Sequence, residues 1–163
     1  MNIELVEYKK DYAKAALAIW NEIVEAGDAF PQDKVMELDE SITFFNSQTA
    51  TILAIDKETN IVLGLYILHP NNVGRCSHIC NASYAVTKRA RGLKIGRMLV
   101  KDCLNRAKAY GFKILQFNAV VASNQVALNL YKDLGFIQLG IIPNGFRNKN
   151  GDYEAIIPHY IEL

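Results

Sequence analysis

Apolar and polar positions along the chain divide it into alternating strand-like and helix-like stretches. Residues 2–8 read as a short strand. From Asp11, a plausible N-cap by residue type, Ala15, Ile19, Ile23 and Ala26 fall at helical spacing until Gly27 stops the run. Pro31 disfavours helix at Phe30, so residues 28–32 read as a loop. A second helix is expected over about 37–47, with Leu38, Ile42 and Phe45 as its apolar face. Residues 49–56 and 61–69 read as strands joined by a turn at Lys57–Asn60, and residues 76–86 as a third, longer strand. A helix comes next over about 94–110, with Ile95, Leu99, Cys103 and Ala107 on one stripe, widened by Met98 and Tyr110, and with Gly111 closing it. Residues 112–121 are a strand, Ser123-Asn124 opens a short helix through Asp133, and Gly135 takes its C′ position. Residues 136–142 and 153–162 are the last two strands, around a polar turn at Asn148–Gly151.

The order β-α-α-β-β-β-α-β-α-β-β implies a mixed sheet in one layered α/β domain covering 1–163. Only the strands at 76–86 and 112–121 are joined by a helical crossover, so they are the parallel candidates. With 163 residues and 50% hydrophobic content, the chain suits one substantial core. The 18 basic and 17 acidic residues leave a formal net charge of +1, which predicts neither a nucleic-acid nor a membrane-surface binder. Three cysteines, Cys76, Cys80 and Cys103, make an odd set without a disulfide framework. Together with an N-terminus that has no apolar signal core, they point to the cytoplasm. Cys80 and His78 are expected as buried strand residues rather than metal ligands, and no metal is expected.

Charge is local. Arg89, Arg91, Lys94 and Arg97 cluster where the third strand turns into its helix, and Gly92 and Gly96 let a ligand approach the backbone there. Unpaired amides and the dipole of a helix start favour an anion, and a diphosphate suits such a place. The spacing fits neither the P-loop nor the Rossmann fingerprint. From these residues alone, an exposed turn with solvated basic side chains is the favoured account.

Two motifs together carry a resemblance. RGLKIG at Arg91–Gly96 is similar to the acetyl-CoA pyrophosphate loop of the GNAT N-acetyltransferases, R/Q-x-x-G-x-G/A. NQVALNLYKDLGF at Asn124–Phe136 is similar to that family's second cofactor motif, N-x-x-A-x-x-L-Y-x-x-L-G-F. The one departure is Lys94, which stands where the family has its middle glycine. The resemblance implies a GNAT-like layered fold, with a mostly antiparallel sheet, a splayed parallel strand pair and helices on both faces. It implies acetyl-CoA as cosubstrate, with its arm against the backbone of Tyr84, Ala85 and Val86 and its diphosphate on the amides of Arg91, Gly92, Leu93, Lys94, Ile95, Gly96 and Arg97. Asn124 and Tyr131 would join them, Asn124 as helix cap or arm contact and Tyr131 as acid to the departing thiolate. A homodimer is common in the family. His78, Asn81, Asn118 and Asn124 further resemble the fungal acetyltransferases of proline analogues, in which paired asparagines line the acceptor side.

The implied reaction is attack of a neutral amine on a thioester. A backbone amide near Ala85–Val86 could donate to the oxyanion. The general base is left open among His78, Glu22, Asp28, Glu154 and a water. Asn81 and Asn118 sit in strands, which disfavour asparagine, so each needs a polar partner, either an acceptor amine or a structural hydrogen bond. The leading reading is acetylation of a small-molecule amine such as an amino acid. Its rivals are acetylation of a protein N-terminus or lysine, and a non-catalytic acyl-CoA binder.

Overall fold

The computed structural model describes residues 2–163. Its strands are β1 (Ile3–Glu7), β2 (Ala50–Asp56), β3 (Ile61–Pro70), β4 (Ile79–Val86), β5 (Ile114–Val121), β6 (Ile137–Gln138), β7 (Ile142–Arg147) and β8 (Tyr153–Glu162). Its helices are α1 (Ala13–Ala26), α2 (Leu38–Asn46), α3 (Ile95–Ala109) and α4 (Gln125–Asp133). One sheet runs β1-β2-β3-β4-β5-β8-β6, with β7 also paired to β8. Every pairing is antiparallel except β4 with β5. The mixed sheet with a single parallel pair is therefore as expected.

Helices cover both faces, which is why β2 is buried along its whole length. On one face α3 and α4 pack Ile95, Leu99, Val100, Cys103 and Leu128 against Tyr66, Leu68, Ala82 and Phe117. On the other, Trp20 of α1 meets Phe30, Phe44 and Phe45 at ring-centroid distances of 4.5–5.9 Å over Leu53, Leu65 and Ile67. These rings bury large apolar areas and add oriented aromatic contacts. Among the described residues no helix is long and apolar enough to cross a membrane.

Several sequence expectations change. Asp11 caps nothing: it lies in a 3-10 turn, Lys10–Tyr12, and Tyr12 is the N-cap of α1. Met98 and Tyr110 do not widen the buried stripe of α3; they are exposed, and Val100 takes that place. The third strand begins at Ile79, because Gly74–Cys76 forms a 3-10 turn stabilised by Cys76 and Ser77 amides bonding back to Val73 and Gly74. Cys76 and His78 are consequently exposed, not buried in a strand. Residues 136–142 are not one strand. A two-residue β6 is followed by β7, which bulges at Pro143–Gly145 with Asn144 at φ 56°. Gly145 is required there because a Cβ would collide with Ile156. A long-range contact set this strand, and local composition reads it as turn.

Candidate functional site at the β4–β5 splay

β4 and β5 are paired at two positions only, Ile79 with Ile114 and Cys80 with Leu115. Beyond them the strands part, although β4 stays paired to β3 as far as Val86 and β5 stays paired to β8. Asn81 stands at the fork. Its Nδ2 donates to the Gln116 carbonyl at 2.8 Å, so a side chain replaces the next rung of the ladder. This answers part of the question about a strand asparagine: Asn81 terminates the pairing. β5 bulges just past the fork, with Asn118 and Ala119 outside the register to β8.

The fork leaves polar backbone edges without a strand partner. Such edges are costly unless something pairs with them. Alternation along β4 sends Cys80, Ala82, Tyr84 and Val86 to the α3/α4 face and Asn81, Ser83 and Ala85 to the α1/α2 face. The slot therefore opens on two different walls.

The α1/α2 wall is lined with amides. Asn118 Nδ2 donates to Asn71 Oδ1 at 2.7 Å, and Asn71 Nδ2 donates back to Asn118 Oδ1 at 3.2 Å. Gln116 Nε2 also donates to Asn118 Oδ1, at 3.1 Å. Each of these primary amides keeps a second N–H that bonds nothing among the described residues. Nothing in the sequence singles out Asn71: its role depends on the end of β3 lying beside β5, which no local pattern records.

The α3/α4 wall is aromatic. Tyr84, Phe117, Tyr131 and Phe136 form a chain of ring contacts, with centroids 5.9 Å apart for Tyr84–Phe117, 4.5 Å for Phe117–Tyr131 and 4.9 Å for Phe117–Phe136. The Tyr131 hydroxyl makes no hydrogen bond within the described residues. Burial, then the nearby Cys103 thiol, push its pKa well above the usual tyrosine value, so it holds its proton. The Tyr84 hydroxyl is buried beside Cys103 without an aligned hydrogen bond. Burial pushes the thiols of Cys80 and Cys103 up to about 12, which makes both poor nucleophiles. Asn124 caps α4 through Oδ1, which accepts from the Ala127 amide at 3.2 Å. That is the capping half of its two expected roles.

Past the mouth of the fork the chain makes a 3-10 turn, Lys88–Ala90, and then enters α3. The amides of Gly92, Lys94, Ile95, Gly96 and Arg97 find no acceptor among the described residues, while those of Arg91 and Leu93 bond back to Lys88 and Ala90. A Cβ at Gly92 would meet nothing within 4 Å, so the space over this turn is open. Arg89, Arg91 and Lys94 are exposed around it, and none is in an ion pair among the described residues. Arg97 is different: its guanidinium is tied to Asp133 of α4 at 2.6 Å, so only its backbone faces the turn. Lys94 is the N-cap of α3 in the left-handed region, φ 60° and ψ 17°. That conformation is easy for glycine and costs an L residue about 1 kcal/mol or more. Lys94→Gly should therefore raise stability by about 1 kcal/mol, read as a rise in thermal midpoint of about 2–4 °C.

The remaining candidates lie elsewhere. His78 sits at the closed end of the β4–β5 pair, where its carbonyl accepts from the Lys113 and Ile114 amides. Glu154 accepts from Asn148 at 3.2 Å near the 148–151 turn, and Asp28 is exposed past the end of α1. Glu22 accepts from the Thr87 hydroxyl and the Lys88 amide, each at 2.8 Å. These bonds and the charges of Lys88 and Arg91 outweigh its desolvation, and its pKa lies below the usual carboxylate value.

A forked parallel pair whose open end leads into a helix start with free amides is the arrangement that the two sequence motifs implied. Residues 16–136 match the model of the Acetyltransferase (GNAT) family. The chain belongs to that family. It is 32% identical over 172 residues to the N-acetyltransferase aca1 of Schizosaccharomyces pombe, covering 96% of this chain and 81% of that one. Among solved structures, a GCN5-related N-acetyltransferase from Kribbella flavida superposes with TM-score 0.91 at 30% identity, covering 99% of this chain and 98% of the other. A phosphinothricin acetyltransferase from Sinorhizobium meliloti, solved in complex with acetyl-CoA, has the same fold at TM-score 0.91 and 20% identity, over 100% of this chain and 89% of the other. The chain is thus an acetyl-CoA-dependent N-acetyltransferase.

Proposed function

We propose that this GNAT protein acetylates the amine of a small molecule of the amino-acid class. The acceptor would enter from the α1/α2 wall and acetyl-CoA from the α3/α4 wall. The observation that carries this reading is the amide cluster of Asn71, Gln116 and Asn118 beside the fork, with spare N–H donors on the acceptor side. Primary amides are neutral donors that suit a carboxylate or carbonyl of a compact ligand. A protein-lysine acceptor would sooner favour an acidic groove, and no carboxylate belongs to this cluster.

In this reading the free amides of Gly92, Lys94, Ile95, Gly96 and Arg97 hold the diphosphate, with Arg91 and Lys94 adding charge. Tyr84, Ala85 and Val86 offer backbone to the arm along the open edge of β4, and Asn124, while capping α4, fixes the helix that carries Tyr131. Acetyl-CoA supplies the activated acyl group when bound. Tyr131 then supplies the proton that the departing thiolate takes, since burial keeps the phenol protonated. The base stays with a water or the amine's own equilibrium: Glu22 is held by two donors, and His78 lies at the closed end of the fork.

A panel of amino acids, cyclic imino acids and lysine peptides, assayed for thiol release from acetyl-CoA, tests the proposal. Turnover on an amino or imino acid, lost in Asn118→Ala, is expected. Turnover on peptides alone would overturn it.

A further inference from the structure

Two neighbouring residues of α1 grip two separate loops. Asn21 makes a reciprocal pair with the backbone of Met36, Nδ2 to the carbonyl and Oδ1 from the amide, both at 3.0 Å. This pins the segment between α1 and α2 on the acceptor wall. Glu22, the next residue, reaches the other way. Its Oε2 accepts from the buried Thr87 hydroxyl and its Oε1 from the Lys88 amide. Thr87 is the N-cap of the 3-10 turn at Lys88–Ala90 but makes no side-chain cap itself. A carboxylate from another element does that work, 66 residues away in sequence.

The position of that turn matters because it aims the backbone that enters α3. Ala90 and Arg91 amides close the turn onto Thr87 and Lys88, and the free amides begin at Gly92. Besides the Glu22 bonds, the Thr87 amide bonds to the Leu63 carbonyl and Ala90 is buried in the core. A carboxylate close to an anion site would by itself oppose binding, yet Lys88 and Arg91 lie beside this one and offset its charge.

We propose that Glu22 is a positioning residue for the diphosphate loop. The inference rests on the reading that residues 91–97 bind the diphosphate. Glu22 touches no reacting atom; it works by capping the turn and holding the free amides in place. Glu22→Gln keeps the shape and lets Oε1 still accept from the Lys88 N–H while Nε2 donates to the Thr87 hydroxyl oxygen, but it removes the negative charge that strengthens both bonds. It should weaken coenzyme A binding about tenfold through the loss of charge assistance in these two bonds. Thr87→Val removes the hydroxyl bond alone and should weaken it about threefold. Because both substitutions act through the one Glu22 side chain, the double variant should fall short of the product, about thirtyfold.

Calorimetric titration of coenzyme A into the full chain reads these constants, and thermal melting checks that each variant is folded. If the wild type binds no coenzyme A, the loop assignment itself fails. If the wild type binds and Glu22→Gln and Thr87→Val bind equally well, only the positioning role fails. Asn21→Ala is the control: it loosens α1 on the acceptor side and should leave coenzyme A binding unchanged. An equal loss there would mean general loosening of α1 and would overturn the role. In steady state, Glu22→Gln should raise KM for acetyl-CoA and spare kcat. A fall in kcat at unchanged KM would instead make Glu22 an acid–base group and overturn the proposal.

Discussion

Tyr131→Phe is expected to lower turnover by about a hundredfold or more while coenzyme A affinity stays within about twofold, the signature of a group used in the transition state rather than in binding. The reason is the state of its hydroxyl. It bonds no group among the described residues, while its ring is held by Phe117, Phe136 and His159, with centroids at 4.5, 5.3 and 5.8 Å. Removing the oxygen therefore costs little packing, and the fold should survive. The pH dependence has a definite sign. Burial raises the phenol's pKa, so the proton-bearing form that an acid needs persists past the usual tyrosine range. Loss of activity at moderately alkaline pH would then not come from Tyr131. Initial rates with acetyl-CoA and the acceptor found by the panel, alongside calorimetry with coenzyme A, check both halves. Unchanged turnover would remove Tyr131 from the chemistry and leave it a wall of the slot.

What the sequence made legible was local. The stripe Ile95, Leu99, Cys103 and Ala107 is buried, as its helical spacing required. Gly27 and Gly135 end α1 and α4 at positive φ, as helix-stopping glycines do. Asn124 caps because its side chain can reach an amide three residues on. The family motifs implied the fork and the loop, and the expected parallel pair does open after two rungs.

What stayed hidden depends on contacts between distant segments. Glu22 reads as one carboxylate among several on an amphipathic helix until Thr87 is beside it. Asn71 reads as loop until Asn118 answers it. Asn81 is unfavourable in a strand by propensity, and its reason is a carbonyl on a different strand. Residues 142–147, IPNGFR, carry the composition of a turn, yet pairing with β8 makes them a bulged strand. Pairwise tertiary geometry overrides propensity at each of these places.

Gly64 is another such position, and it carries the second large effect. It looks like a blemish in the apolar run of β3, since glycine weakens a strand. In the fold it lies opposite Val86 on β4 and under the first two turns of α3. A Cβ there would sit 2.9 Å from the Ala85 carbonyl oxygen and 3.2 Å from both Ile95 Cγ2 and Leu99 Cδ1. The oxygen is backbone and cannot swing aside, so α3 or β4 must shift. Gly64→Ala should cost about 1–3 kcal/mol, the usual range for overpacking a tight core. For a chain of this size that is a fall in thermal midpoint of about 3–10 °C. The shift would act where the free amides of Ile95, Gly96 and Arg97 begin and where β4 offers its open edge, so coenzyme A binding should weaken as well. Melting curves with and without saturating coenzyme A separate the two effects. A smaller ligand-induced rise in the variant than in the wild type is expected. An equal rise would mean that the crowding is absorbed within the core and never reaches the loop.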